Sequence, residues 1–306
     1  MALDSTNSKV AYSEDGFSWN FSKLPTDSGL VWLKICYGDG MFVAVGLKGS
    51  VSVYAYSTNG FNWIEKKFPA NTSIGGICYG NGKFVVVGGY YDGAKYIAAF
   101  LYSTDGINWN MGSSETVESW PFENVCYGNG KFVAIPQGSN KAEYSTNGIN
   151  WYQITEFQPG LWRSICYGKG RFVVLHELSV PIYSINVINW NDAAVFPVDS
   201  GDYMWSKICY GEGKFVAFCY DEDIVNGGYI GISVYSTDAI NWYSKTGFPF
   251  GLGDVCYGNG IFVGTDVDGN GMAYSTDGIN WTKIQGVDGN WDCISYGFDS
   301  DIFGFL

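Results

Sequence analysis

Seven near-copies of one eight-residue stretch decide what this chain can fold into. YSTDGINW begins at Tyr102 and at Tyr274, YSTNGFNW at Tyr56, YSTNGINW at Tyr144, YSEDGFSW at Tyr12, YSINVINW at Tyr183 and YSTDAINW at Tyr235. Asp-Gly or Asn-Gly between alternating residues is the strongest short-range hairpin signal, because a type I′ turn needs positive φ at both central positions. With Asp105-Gly106 in such a turn, Tyr102 is expected opposite Trp109 and Ser103 opposite Asn108. Side chains alternate along a strand, so each copy is expected to be a hairpin with an aromatic clasp on one face and a polar pair on the other.

A second hairpin alternates with the first. CYGNGKFVVVG, from Cys78, returns as CYGDGMFVAVG, CYGNGKFVAI, CYGKGRFVVL, CYGEGKFVAF and CYGNGIFVGT. Asn81-Gly82 is its turn, and Tyr79 opposes Phe84. A divergent copy, ISYGFDSDIFGF, starts at Ile294. In the second repeat the expected strands are a (77–79), b (83–87), c (101–104) and d (107–110). The clasp tryptophans stand at 19, 63, 109, 151, 190, 242 and 281. Their mean spacing is about 44 residues, a period typical of propeller blades.

Six complete a-b-c-d units are flanked by two partial ones: residues 1–24 supply c and d, and residues 291–306 supply a and b. The expectation is an all-β, single seven-bladed β-propeller over residues 1–306, with four-stranded blades. The N-terminal hairpin (strands c and d) would complete the C-terminal blade (strands a and b), and closing the ring hides the sheet edges of an open array.

Composition agrees and excludes several roles. Gly 42 with Pro 8 and 18% aromatic residues suits an array of tight turns. The net charge is −13, and Arg163 and Arg171 are the only arginines. Nucleic-acid binding needs a basic footprint, so no nucleic-acid partner is expected, and an anionic membrane surface is disfavoured on the same ground. No apolar run reaches the 18 or so residues of a membrane helix, so no membrane insertion is expected. The opening MALDSTNSKV lacks the apolar core of a signal peptide.

Of eight cysteines, Cys36, Cys78, Cys126, Cys166, Cys209 and Cys256 hold the same place in successive repeats. Equivalent strands of stacked sheets lie about 10 Å apart, beyond the roughly 7 Å that a disulfide tolerates. These six are expected to be free, buried thiols in a chain that folds in a reducing compartment. Cys219 and Cys293 fall off-register and are expected to be the more reactive pair.

The unit S-T-D-G-x-N-W resembles the Asp-box, or BNR, repeat of sialidase-like propellers. The spacing of Ser103, Asp105, Gly106 and Trp109 is one residue tighter than the usual S-x-D-x-G-x-x-W, and Val187 and Ala239 replace the glycine. In that family the box is a structural turn away from the active site. The repeats also resemble those of bacterial and phage tail-associated proteins, which implies a virion, tail or bacterial-surface setting. Sialidase activity is disfavoured: the family clamps its substrate carboxylate with three arginines, and this chain has two.

Internal comparison locates the variable face. The two hairpin turns keep nearly constant length, whereas the b–c and d–a connections vary, and in an up-and-down blade these share one rim. Variable loops on a rigid scaffold are where binding usually sits. Four residues before the strand-a Cys position stand Trp32, Trp162, Trp205 and Trp291, with Ile74, Phe122 and Leu252 in the same slot elsewhere. These indoles are either stacking platforms at the channel mouth or between-blade packing.

The two longest b–c insertions carry Tyr90, Tyr91 and Tyr96, and Asp221, Asp223 and Tyr229, the best local candidates for recognition. The stretch DVDGNG places Asp266, Asp268 and Asn270 at the alternating spacing of a calcium loop, with Gly271 and Asp277 following. Asp277 is also a hairpin-turn residue, so a glycine-rich turn competes with the calcium reading; no other cofactor is expected. His176 is the only histidine, which leaves triad and zinc chemistry little to stand on.

The reading is a non-catalytic recognition module binding a glycan or a surface receptor through its loop-rich face. The alternatives are a carbohydrate-active enzyme using acidic residues at the channel mouth, and a protein-interaction scaffold.

Overall fold

The computed structural model describes residues 1–297 apart from 6, 28, 71, 116–120, 198–203, 223–228, 247–251 and 267–270. Those residues form seven antiparallel sheets and no helix. Blades 1 to 6 span residues 30–67, 73–111, 122–153, 162–192, 204–246 and 252–284, each with strands in the order a-b-c-d. Blade 3 gains an extra outer strand, because Ser113–Ser114 pairs in parallel with its strand d.

The seventh blade is closed by both ends of the chain, but with a division of strands that the repeat pattern did not suggest. Strand a is Cys293–Ile294, and strands b, c and d are Ala2–Asp4, Lys9–Tyr12 and Asn20–Lys23. Ala2 pairs with Ile294 and Leu3 with Cys293. The N-terminal segment therefore supplies three strands rather than a c–d hairpin, and Ala2–Asp4 occupies the place expected for a strand b from the C-terminal segment. Ala2, Leu3 and Asp4 are all buried, as an inner strand requires. The expected C-terminal strand b falls largely in residues 298–306, outside the described residues.

The a–b turns form as expected. Asn81 and Gly82 have φ of 47° and 69°, both positive as a type I′ turn demands, and Tyr79 pairs with Phe84. Lys169 and Glu212 take the same first position, at φ 46° each, because the glycine that follows fills the second.

The c–d turns do not form as expected. Tyr102 pairs with Asn110 rather than Trp109, so strand d begins at Asn110 and residues 104–109 make a wider loop. Only Gly106 has positive φ there. The cause is the side chains. Asp105 Oδ1 accepts the Ile107 and Asn108 amides at 2.9 and 2.7 Å and the Ser103 hydroxyl at 2.9 Å, while Asp105 Oδ2 accepts Asn108 Nδ2 at 2.7 Å. Ser, Asp and Asn side chains that bond nearby backbone give the chain an alternative to ladder pairing. Asn59, Asn147, Asn186, Asp238 and Asp277 make the corresponding bonds. Val187 and Ala239 reach φ of 68° and 63° at the glycine position, so the loop keeps its shape without glycine.

These loops also latch neighbouring blades. Tyr54 Oη donates to the carbonyl of Ile107, Ser22 Oγ to that of Gly60, and Lys169 Nζ to that of Thr237. Phe61 packs edge-on against Tyr12 at 4.4 Å, and Phe17 against Tyr274 at 4.7 Å. The hydrophobic core is divided the same way, into seven clusters that each join two adjacent blades.

The inner seam is a ring of tyrosines seated on glycines. The glycine of each C-Y-G packs beneath the tyrosine of the next blade: Gly38 under Tyr79, Gly80 under Tyr127, Gly128 under Tyr167, Gly168 under Tyr210, Gly211 under Tyr257, and Gly258 under Tyr296. Gly297 under Tyr37 completes the circle. A Cβ at any of these glycines would lie inside the facing ring, so no other residue lets the blades approach this closely.

None of the eight cysteines is in a disulfide, as expected for the in-register six, but of those six only Cys36 is buried, while Cys78, Cys126, Cys166, Cys209 and Cys256 are half-buried where strand a borders the channel. Burial pushes the Cys36 and Cys256 thiols up to about 12. Cys219 and Cys293 are among the most buried, at 1% exposure each, against the expectation that being off-register leaves them reactive. Cys219 packs in the cluster between blades 4 and 5, and Cys293 in the one between blades 7 and 1.

Candidate functional site

Strand a, the innermost of each blade, carries a one-residue register shift just after the tryptophan slot: between Trp32 and Lys34, Ile74 and Gly76, Phe122 and Asn124, Trp162 and Ser164, Trp205 and Lys207. Blade 6 has a longer irregularity between Leu252 and Val255. A bulge bends the strand and re-aims side chains. Here it separates two functions. The residue before the bulge turns into the blade, and the residue after it faces the axis.

The residues before the bulge include the tryptophans. Trp32, Trp162, Trp205 and Trp291 are 0–4% exposed. Three indole N–H groups donate to backbone carbonyls, Trp32 to Pro25, Trp162 to Gln158 and Trp291 to Val287. Trp205 packs on Phe196, with centroids 3.8 Å apart. The structure thus places all four in between-blade packing, the same use to which Phe122 puts that slot.

The residues after the bulge meet around the axis. Lys34, Asn124, Ser164, Lys207 and Asp254, with Cys293 of the closing blade, line a cavity of about 330 Å³. Its lower wall is made of the Ile-Cys-Tyr runs of several blades, including Cys36, Cys78, Tyr37 and Tyr79. Lys207 Nζ lies 3.9 Å from Asp254 Oδ1, and both side chains are 18% exposed, reached from the channel. The Lys34 ammonium beside Lys207, together with burial, holds Lys207 below the ordinary lysine range despite Asp254. Burial is the largest single influence on Lys34 and opposes its charge, but Asp254, Cys293 and Glu123 are among the neighbours that together raise its pKa.

Asp254 is itself held by the backbone, with Oδ2 accepting the Ile294 amide at 3.2 Å. Asn124 Oδ1 accepts the Val125 amide at 2.8 Å, which leaves its NH2 to the cavity. Sequence comparison missed this ring because the position reads Lys, Gly, Asn, Ser, Lys, Asp and Cys through the seven blades. Variable polarity between constant neighbours was the available signal.

The expected recognition loops sit on two separate blades. In blade 2 the b–c hairpin runs out to Tyr91 and returns from Tyr96, with Tyr91 paired to Tyr96 and Tyr90 to Ile97. Tyr90 and Tyr91 are 37% and 59% exposed. Asp92 closes the hairpin by accepting the Ala94 and Lys95 amides at 2.8 and 2.9 Å. In blade 5 Asp221 pairs with Ile230 and Glu222 with Tyr229, so Asp221 and Tyr229 lie on adjacent rungs of the corresponding hairpin. Asp223 lies outside the described residues.

Of the calcium residues, Asp266 is buried in strand b of blade 6 with its backbone bonded to Gly271 and Trp291. Asp268 and Asn270 lie outside the described residues. Asp277 is committed to its turn, accepting the Ile279 and Asn280 amides. Among the described residues no group of three or more His, Cys, Asp or Glu is placed to hold a metal ion. His176 packs edge-on against Trp162, and its ring nitrogens lie 3.1 Å from the Leu161 and Leu178 amides. Burial lowers its pKa, so it is neutral at pH 7 and its one lone-pair nitrogen accepts one of the two amides. Its neighbour Glu177 pairs with Arg163 at 2.9 Å.

No protein-family model matches this sequence, and no curated protein matches it. Solved structures share its architecture. YCF48 bound to D1 peptide superposes with a TM-score of 0.63 at 15% identity, over 94% of this chain and 87% of that one. Streptogramin B lyase gives 0.64 at 12% identity, over 90% and 89%. A chain of the nidogen/laminin complex gives 0.51 at 10% identity, over 87% and 97%. Likeness at these identities establishes the seven-bladed fold and leaves function to the site.

Proposed function

We propose that this chain is a non-catalytic recognition module whose loop-rich rim binds a surface receptor, with a protein segment favoured over a glycan. The observation that carries the reading is the asymmetry of the two rims. On one, every c–d turn spends its Ser and Asp or Asn side chains on its own loop and packs its tryptophan against a core cluster shared with the adjacent blade. On the other, blades 1, 2 and 5 raise b–c hairpins whose b strands have 8 or 9 residues, against 6 in blades 3, 4 and 6. The blade 2 hairpin presents Tyr90 and Tyr91 on paired backbone closed by Asp92. A tyrosine on a rigid hairpin offers large amphipathic area at little entropic cost, which suits a binding anchor.

Burial of the four tryptophans favours protein over sugar, because it removes the large stacking platforms a glycan site would use. Two of the structural neighbours are described with peptide or protein partners, YCF48 with D1 peptide and the nidogen/laminin pair. That agrees with the reading without carrying it.

A phage-displayed peptide library and a glycan array, each probed with wild type and with Tyr90→Ala/Tyr91→Ala, test the proposal. Peptide ligands enriched by wild type are expected to weaken by about 1–2 kcal/mol per tyrosine in the variant, with Tm unchanged. Ligands kept by the double variant and lost on Phe61→Ala would move the site to the opposite rim. Glycan hits without peptide hits would overturn the choice of ligand class.

A further inference from the structure

We propose that the axial cavity is an oxyanion site, in which Lys34 and Lys207 bind one carboxylate or phosphate group with help from Asn124 and Ser164. The observation is a convergence of donors that the fold does not need. In a chain of net charge −13, two of the 17 basic residues come from blades 1 and 5 to the same point on the axis. Both side chains line the same cavity, and the Lys34 charge is the largest influence on Lys207. Two like charges so close, away from bulk water, oppose one another unless a negative group joins them.

The protein supplies only part of one, from Asp254 and, more weakly, Glu123. Asp254 stands 3.9 Å from Lys207, a loose pairing, and one of its oxygens is already shared with the Ile294 amide. Among the described residues Lys34 makes no ion pair. The polar neighbours are donors as well: the Asn124 NH2 faces the cavity because its oxygen is taken by Val125, and the Ser164 hydroxyl lies on the same wall.

The space fits a small anion. About 330 Å³ is roughly ten times the share of volume of one liquid water, enough for a phosphate or a carboxylate on a short chain with its remaining hydration. The donor set also has the chemistry: ammonium and amide N–H to oxyanion are charge-assisted hydrogen bonds, stronger than neutral ones. Asp254 is the internal competitor. It partly neutralises the pair when the cavity holds only water, and it weakens the hold on an incoming anion. The site lies on the axis, apart from Tyr90 and Tyr91, and stands whether or not the rim binds a partner.

Isothermal titration of the full chain with sodium phosphate and with sodium acetate, at matched ionic strength in chloride, tests this. Saturable one-site binding of either is expected, and the tighter of the two identifies the ligand as phosphate-bearing or carboxylate-bearing. Lys34→Met and Lys207→Met should each weaken it by at least about tenfold, the loss of one charge-assisted hydrogen bond. A surface change, Lys48→Met, should leave it intact.

Asp254→Asn separates binding from a purely structural role. It keeps an acceptor for the Ile294 amide and removes the competing charge, so anion affinity should rise severalfold. Heats that never saturate with either anion would overturn the site, as would binding unchanged in both Lys34→Met and Lys207→Met. Weaker binding in Asp254→Asn, with Tm preserved, would overturn the role given to Asp254.

Discussion

Gly128→Ala tests the inner seam directly. Gly128 has ordinary strand backbone, so alanine meets no conformational objection there. The objection is spatial: the new methyl would lie 2.5 Å from Tyr167 Cβ and nearer still to the ring. Tyr167 cannot simply lift away, because its ring also packs at 4.8 Å on Phe172 of its own blade. Inserting a methyl group into packing this tight costs about 1–3 kcal/mol. At about 2–4 °C per kcal/mol for a chain above 150 residues, Tm should fall by roughly 2–12 °C.

The control is Gly130, two residues on, whose φ is +71° and whose Cβ would meet nothing within 4 Å. Gly130→Ala should cost about 1–2 kcal/mol through backbone strain alone. A double-mutant cycle distinguishes the two. Combining Gly128→Ala with Tyr167→Ala should recover most of the glycine penalty, a coupling of about 1–3 kcal/mol, whereas Gly130→Ala with Tyr167→Ala should be additive. Urea unfolding followed by circular dichroism measures wild type and the five variants. A Gly128→Ala cost within about 0.5 kcal/mol of zero, or no coupling to Tyr167, would refute the seam argument. Gly297→Ala with Tyr37→Ala repeats the cycle across the closure.

Two further outcomes follow from the turns and the thiols. Among the c–d turn carboxylates, burial raises Asp105 and Asp277 but hydrogen bonds from the Asn108, Ile107, Asn280 and Ile279 backbones outweigh it and bring both to about 2; Asp238 is lowered likewise, and Asp15 chiefly by the Ser18 amide. Folded values below the unfolded value of about 3.9 mean that this stabilisation is complete above about pH 4 and is lost as pH falls toward 2. Asn in all four positions, already the natural choice at 59, 147 and 186, should keep the fold at neutral pH and flatten the acid limb of the unfolding midpoint against pH. For the thiols, reaction with a maleimide under native conditions should be slow at all eight cysteines and become fast only in denaturant; rapid labelling of Cys219 or Cys293 would contradict their burial.

How much of this could be read beforehand depends on which physical effect dominates locally. The a–b turns were legible because Asn81 and Gly82 form a two-residue connection whose outcome depends on φ alone. The c–d turns offered the same Asp-Gly signal and gave another answer. Ser103 and Asp105 bring acceptors within reach of the Asp105, Ile107 and Asn108 amides, and satisfying those amides widens the loop and moves Trp109 out of the ladder. Counting positive-φ residues could not show this, whereas counting the acceptors near the turn could. Closure was legible as a fact and misassigned in detail. Ala2–Asp4 has three residues and no repeat signature, so nothing but its burial marks it as a strand.

The site divides along the same line. Trp32, Trp162, Trp205 and Trp291 stood out by chemistry, yet their slot also accepts Ile74 and Phe122, which is how a packing position behaves. The axial position two residues further on drew no notice because no residue type recurs there. That irregularity is itself informative. Seven blades share one backbone, so a position that must only pack stays apolar, as the Trp32, Ile74 and Phe122 slot does, or narrows to one residue, as the tyrosine-on-glycine seam does. A position free to be Lys34, Asn124, Ser164, Lys207 or Asp254 is not under that constraint, and its polarity is the feature on which the proposed anion site rests.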